Sequence, residues 1–377
     1  MSEPVVTLLE RFVAHPTVSD RPVLALAADL ATRATDLGFR VERFVDPDRE
    51  GKCSVVASIG PRGTDGLAIS GHMDVVPVEG QPWTTDPFRA TEKDGRLYGR
   101  GAADMKGFLA AVMTALARIP ASAYRRELVL VWTHDEEIGC LGSAGLARWW
   151  GDRPIPTTCW IGEPTRFQVQ RMHPGHVAVE LTAIGRAAHS SRPEVGIDAI
   201  EAGAAIVAAA KELARELREH PVADLAEMER PWVALNVGQI HGGQAVNIVP
   251  DHCVVRIGYR PLPGQPPDAV WNELQQRVAS LGLKAKVEGR LLRVSPAMLT
   301  PLDTPLEAVL LSHASTTAIG AATFATDGGN LTQIGTRPLV FGPGDIAVAH
   351  QADEWIDGAE LVKAVGVVEA VVRRMCC

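Results

Sequence analysis

Residues 66–77 read GLAISGHMDVVP. The stretch opens as a short run with apolar residues on both faces, which suits a strand buried on both sides, as in a parallel sheet covered by helices. It ends in His72 and Asp74, two residues apart, where the apolar run gives way to a loop. Runs of the same kind recur: CSVVASIG (53–60), ELVLVWTHD (127–135), TTCWIGE (157–163) and RPLVFGPG (337–344). Between them GFLAAVMTALARI (107–119) and GSAGLARWW (142–150) carry helical spacing. The fold class expected is α/β, a mainly parallel sheet with helices on both faces.

The middle of the chain has another pattern. HVAVELTAIGR (176–186) alternates at period two, as a half-exposed strand does. A long Ala-rich amphipathic helix follows (196–220), then strands WVALNVGQI and CVVRIGYR, helix PDAVWNELQQRVASL and strand KAKVEGRLL. That β-α-β-β-α-β order is the ferredoxin-like unit. Because RPLVFGPG returns to the parallel-sheet pattern, the α+β unit is expected as an insertion, residues 174–294. It interrupts a discontinuous catalytic domain of residues 1–173 and 295–377.

A net charge of −8 without a basic stripe argues against a nucleic-acid or anionic-membrane surface. MSEPVVTLLERFVAHPTV (1–18) reads as an amphipathic helix rather than a signal peptide. No apolar run is long enough to span a bilayer. The six cysteines form no CxxC pair and no disulfide framework, which fits the reducing cytoplasm. No strand is followed by a phosphate-binding glycine motif, so nucleotide binding ranks last.

In an open α/β sheet, ligands sit beyond the carboxyl ends of the strands. His72 and Asp74, the triplet Asp135–Glu136–Glu137, Glu163 and His350 all follow strands, and Asp104 precedes a helix. Each alone has a plain reading as an N-cap, a turn or a loop residue. Together, two imidazoles and at least four carboxylates repel unless cations neutralise them. Mixed N/O donors suit zinc, with cobalt or manganese as substitutes. The expected arrangement is two ions, one on His72 and Glu163, the other on Glu137 and His350, with Asp104 bridging. Asp74 is expected to orient the His72 imidazole. Glu136 is left over and suits a general base for a metal-bridging water, giving amide hydrolysis.

SGHMDVVP, WTTDPF, GRLYGRGAADMKGFLAAV, DEEIGCLGS, IGEPT and GPGDIAVAHQADEW resemble the successive motifs of the di-zinc aminoacylase and exopeptidase superfamily. ADMKGF, GEPT, HSSRPEVGIDAIE, GQIHGG, RPLPG and AHQADE resemble its acetylornithine deacetylase branch, with succinyl-diaminopimelate desuccinylases as near relatives. The resemblance spans about residues 70–355. It implies His72, Asp104, Glu137, Glu163 and His350 as ligands, Glu136 as the base, and a cis peptide after Asp104. It implies that the inserted unit is a lid that pairs two subunits, and that His189 donates to the substrate carbonyl oxygen. Asn247 and Arg260 match positions that bind the substrate's carbonyl side and α-carboxylate; a surface salt bridge is the other reading of Arg260. TFATDGGNLTQIG departs from the acetylornithine deacetylase pattern, with Asp327 and two glycines where a Glu is usual. Asp327 is read either as attracting a cationic substrate side chain or as a turn residue.

The expected activity is deacylation of a small N-acyl-L-amino acid, most directly N-acetyl. The alternatives are an N-succinyl-diaminopimelate desuccinylase or dipeptidase with the same centre, and a catalytically inactive metal-binding scaffold.

Overall fold

The computed structural model describes residues 3–19 and 21–377. The chain forms two compact units. The first runs to Met172 and resumes over Met298–Ala322 and Thr326–Cys377; the second is His173–Ala297 with Thr323–Ala325.

The first unit is built on a mixed sheet. Its strands in chain order are β1 (Arg40–Val45), β2 (Cys53–Ile59), β3 (Leu67–His72), β4 (Leu128–Thr133), β5 (Thr158–Ile161), β6 (Gln170–His173) and β7 (Arg337–Val340). They lie side by side in the order β1-β2-β4-β3-β5-β7-β6, with the short strand Met298–Leu299 beyond β6. The four central strands β4, β3, β5 and β7 are parallel. β1 and β2 pair antiparallel at one end, and β7 meets β6 antiparallel near the other.

The central strands are apolar on both faces because each face meets a separate core. Leu128, Leu130 and Trp132 of β4 join the core that contains helices α1 (Val5–Val13), α2 (Leu24–Asp36), α3 (Gly107–Leu116) and α5 (Gly358–Cys376). Val129 and Val131 point the other way, into a smaller core with Leu146 and Trp150 of α4 (Leu141–Trp150). The period-two alternation therefore separates two hydrophobic layers rather than core from solvent. β1 is exposed over most of its length and carries arginine and glutamate, as suits an edge strand. Its charge hides it from a search for apolar runs.

The second unit contains four antiparallel strands, His176–Ile184, Ala234–Gly242, His252–Arg260 and Lys286–Ser295. Numbered along the chain, their spatial order is 2-3-1-4, with helices Ala199–Glu219 and Ala269–Ser280 at the two β-α-β positions. Asp198 caps the first helix by accepting from the N–H groups of Ile200 and Glu201.

No helix among the described residues is long and apolar enough to cross a membrane. All six cysteines are free.

Candidate metal centre

The four parallel strands deliver polar residues to one end of the sheet. His72 is the last residue of β3, Glu136 and Glu137 follow β4, Glu163 follows β5, and His350 lies in the loop after β7. Asp104 comes from the irregular turn Ala102–Lys106 ahead of α3, and the Asp104–Met105 peptide is cis. His72 Nε2 is 3.0 Å from Asp104 Oδ1 and 3.8 Å from Glu163 Oε1. His350 Nε2 is 2.9 Å from Glu137 Oε2 and 3.3 Å from Asp104 Oδ2. Asp104 thus turns one carboxylate oxygen toward each imidazole. Within each trio, His72–Asp104–Glu163 and Asp104–Glu137–His350, donor atoms lie within 4.8 Å of one another. Two N/O donor sets sharing one carboxylate fit a pair of divalent cations.

Gly162 explains the glycine of the IGEPT motif. A Cβ there would fall 1.9 Å from the Phe108 ring, so the chain passes α3 only without a side chain before it presents Glu163.

Asp74 acts in a different way from the one expected. The His72 ring is held by the Asp74 carbonyl, 2.9 Å from Nδ1, while the Asp74 carboxylate stands 3.8 Å away. A carbonyl only accepts, so the proton of neutral His72 sits on Nδ1 and the Nε2 lone pair faces Asp104 and Glu163. The Asp74 carboxylate instead accepts from Ser19 Oγ (2.8 Å) and from the backbone N–H groups of Glu136 (3.0 Å) and Glu137 (3.3 Å). It therefore fixes the loop that carries both residues.

The electrostatics show an excess of negative charge. Burial pushes the carboxyls of Glu136 and Glu163 well above the usual range, and neighbouring carboxylates add to the rise. Burial and Asp104 bring Glu137 up to about 7. Burial acts to lower His72, but the Asp104 hydrogen bond and the charges of Glu163, Asp104 and Glu136 hold it well above its ordinary value. Hydrogen bonds to Asp104 and Glu137 raise His350 to about 10. Protons on the imidazoles and carboxyls stand where divalent charge would otherwise be required.

Asp135 turns away from the centre into a buried pair with Lys52 (2.7 Å), joined by Arg49 (3.0 Å). Asp327 is 2% exposed and accepts from Thr133 Oγ1, and it groups with Glu136 and Cys140. It therefore backs Glu136 from inside the fold, which neither reading of the TDGG segment anticipated. Cys140 Sγ lies 3.4 Å from Glu136 Oε1. Spacing alone could have suggested this contact, since four residues from Glu136 is within reach across one turn.

His189, Asn247 and Arg260 belong to the second unit. His189 is exposed, on a two-residue strand paired with Ile248–Val249. The Ser191 N–H donates to its Nδ1 (3.1 Å), which leaves Nε2 as the protonated nitrogen of the neutral ring. The Asn247 carbonyl accepts from the N–H of Ser190, beside His189. Arg260 ends strand His252–Arg260, and burial together with the Arg260 charge lowers His173 and His176 to about 4.

This geometry has relatives. The model of Peptidase family M20/M25/M40 matches residues 68–374. The chain belongs to that family. It is 35% identical over 382 residues to an acetylornithine deacetylase of Myxococcus xanthus, covering 98% of this chain and 96% of the relative. An acetylornithine deacetylase of Photorhabdus laumondii subsp. laumondii is 34% identical over 371 residues, covering 94% and 92%. Among solved structures, an M20 family metallo-carboxypeptidase from Sulfolobus solfataricus superposes with a TM-score of 0.81 at 19% identity, covering 98% of this chain and 99% of that one. A dinuclear metal-binding M20 peptidase from Bacillus subtilis gives 0.69 at 13% identity, covering 98% and 97%. The M20 protein described here is a metal-dependent amidohydrolase.

Proposed function

We propose that this M20 enzyme hydrolyses the amide bond of an N-acyl-L-amino acid, most directly an N-acetyl one, with N-acetyl-L-ornithine the first substrate to test. The observation that carries the reading is Glu136, a carboxylate that feels the charges of His72, Glu163 and Glu137 in the two donor trios and is a member of neither. The near full-length identity to acetylornithine deacetylases supports the acyl group and the amino acid.

His72, Asp104 and Glu163 would hold one divalent cation, and Asp104, Glu137 and His350 the other, with zinc first and cobalt or manganese as substitutes. When bound, such ions polarise the scissile carbonyl and lower the pKa of water. Glu136 takes a proton from the attacking water on its carboxylate and returns it to the departing amine nitrogen. Asp74 keeps that carboxylate aimed through its hold on the Glu136 N–H. His189, with its Nε2 proton, donates to the substrate's carbonyl oxygen. Arg260 pairs with the α-carboxylate, and Asn247 contacts the carbonyl side.

The second unit serves as a lid and pairs two copies into a homodimer. Its strand Ala234–Gly242 is largely exposed. Free cysteines support a cytoplasmic enzyme.

The test is a substrate panel with zinc- and cobalt-loaded protein, following released amine. It holds N-acetyl amino acids, N-succinyl-diaminopimelate and dipeptides. Turnover of N-acetyl-L-ornithine above the rest is expected; inactivity on every N-acetyl substrate together with dipeptide cleavage rejects deacetylation.

A further inference from the structure

Glu354 lies four residues past His350 and is 1% exposed. Its Oε2 accepts from Arg100 Nη1 (2.7 Å), and its Oε1 from the backbone N–H groups of Ala103 (3.0 Å) and Asp104 (3.1 Å). Its own carbonyl is held by the Gly99 N–H (2.8 Å). Arg100, equally buried, donates through Nη2 to Gln81 Oε1 (2.5 Å). The same amide oxygen accepts from Trp83 Nε1 (3.0 Å). With its oxygen committed to two donors, the Gln81 amide must turn its nitrogen the other way, where it donates to the His350 carbonyl (2.9 Å). One continuous chain of hydrogen bonds thus joins the backbone of Asp104 to the backbone of His350.

We propose that Glu354 is a positioning residue that holds Asp104 and His350 in register for one of the two cations, the one on Asp104, Glu137 and His350. The proposal rests on the dinuclear reading above. The other position depends on Glu354 less, because only Asp104 among its donors lies on this chain. His72 is oriented separately by the Asp74 carbonyl, and Glu163 follows β5 directly. His350 has the greater need of outside support: its side chain is 51% exposed and its backbone has φ 64°. A second staple joins the same loops, with Asp353 accepting from the N–H and hydroxyl of Thr84. The charge at position 354 matters as well as the shape. A glutamine there would turn its amide NH2 either toward Arg100 or toward the two backbone N–H groups, setting donor against donor and leaving a buried group unmatched.

The test titrates zinc-free wild type, Glu354→Gln, Gln81→Ala and His350→Ala with Zn2+ against a chromophoric chelator, and counts zinc after dialysis. Thermal melting of the zinc-free proteins checks folding. His350→Ala supplies the signature of losing that one ion. Glu354→Gln is expected to keep one zinc at wild-type affinity and to bind the other about 10–100-fold more weakly. Gln81→Ala changes a partly exposed side chain and leaves the Arg100–Glu354 pair in place, so it should show the same split to a smaller degree. If Glu354→Gln does not fold, Gln81→Ala decides. Both variants binding two ions like wild type, or losing both in parallel, overturns the proposal alone. A wild type that holds fewer than two zinc ions overturns the dinuclear reading and the proposal with it.

Discussion

Replacing Glu136 by Gln is the sharpest test of the chemistry. The change keeps the size of the side chain and leaves the backbone N–H of residue 136 on Asp74. What is lost is the ability to take up a proton. Among the described residues the neighbouring carboxyls are placed otherwise: Glu137 is engaged with His350 at 2.9 Å, Glu163 belongs to the His72 trio, and Asp327 accepts from Thr133 at one oxygen and lies behind Glu136. The full contribution of a general base should therefore disappear, about 10²–10⁴-fold in kcat, or about 3–5 kcal/mol of barrier. Glu136→Asp keeps the carboxylate one methylene short and should recover only part, since displacement by about 1 Å can cost about 10²-fold. The assay is single-substrate turnover of N-acetyl-L-ornithine, with zinc counted on the same samples. Because Glu136 is in neither donor trio, zinc content should hold. A Glu136→Gln enzyme within a factor of about three of wild type, against the decades expected of a base, and still fully loaded, refutes the assignment.

Asp74→Asn exchanges a carboxylate that accepts from Ser19, Glu136 and Glu137 for a group with one acceptor oxygen. It should lower kcat/KM by about 10–100-fold, and unchanged kinetics would remove Asp74 from the positioning network. Asp327→Asn should move the acid limb of the kcat–pH profile to lower pH, because the Asp327 charge adds to the upward pressure on Glu136; a limb that stays put, with KM changed for cationic substrates only, would return Asp327 to the substrate pocket. Gly162→Ala drives a methyl into Phe108 and should cost about 1–3 kcal/mol in denaturant unfolding, with weaker zinc binding through displaced Glu163. Zinc affinity should rise between pH 6 and 9, because in the metal-free protein Glu137 holds its proton to about pH 7 and His350 to about pH 10; a flat affinity across that range contradicts these donors.

Much of the catalytic unit was legible because its central strands obey a simple rule. LAIS, LVLVWT and TCWI are apolar on both faces, so their burial could be read without tertiary information, and polar residues at their ends could then be placed at one sheet edge. β1 escaped the same rule, being an edge strand whose charged face meets water. In the second unit, strands His176–Ile184 and His252–Arg260 carry a regularly buried face, the pattern that a period-two reading detects, whereas Ala234–Gly242 and Lys286–Ser295 are exposed over most of their length. Asp74 shows where such reading stops. Its proximity to His72 in sequence was visible, but which atoms make the contact depends on loop geometry, and the loop gives the imidazole a carbonyl and keeps the carboxylate for residues 136 and 137. Glu354 and Gln81 were hidden for a related reason: their partners lie about 250 and 270 residues away in the chain.

The placement of these supports follows from the charge balance. Glu136, Glu137 and Glu163 all titrate above the ordinary carboxylate range without cations, so the empty cluster resists its own geometry. Repulsion of that kind would open the loops unless their backbones were tied elsewhere. The ties are carboxylates set one step back: Asp74 on the N–H groups of Glu136 and Glu137, and Glu354 on those of Ala103 and Asp104. Each accepts from the main chain and from a side-chain donor, the Ser19 hydroxyl for Asp74 and the Arg100 guanidinium for Glu354. Both acids therefore hold the shape of the site, and Glu354, paired with Arg100, adds little to the charge that the cations must balance. Removing a support should loosen metal binding before it unfolds the protein, whereas removing a carboxylate that titrates high, such as Glu163, should relieve repulsion and raise the melting temperature of the metal-free form.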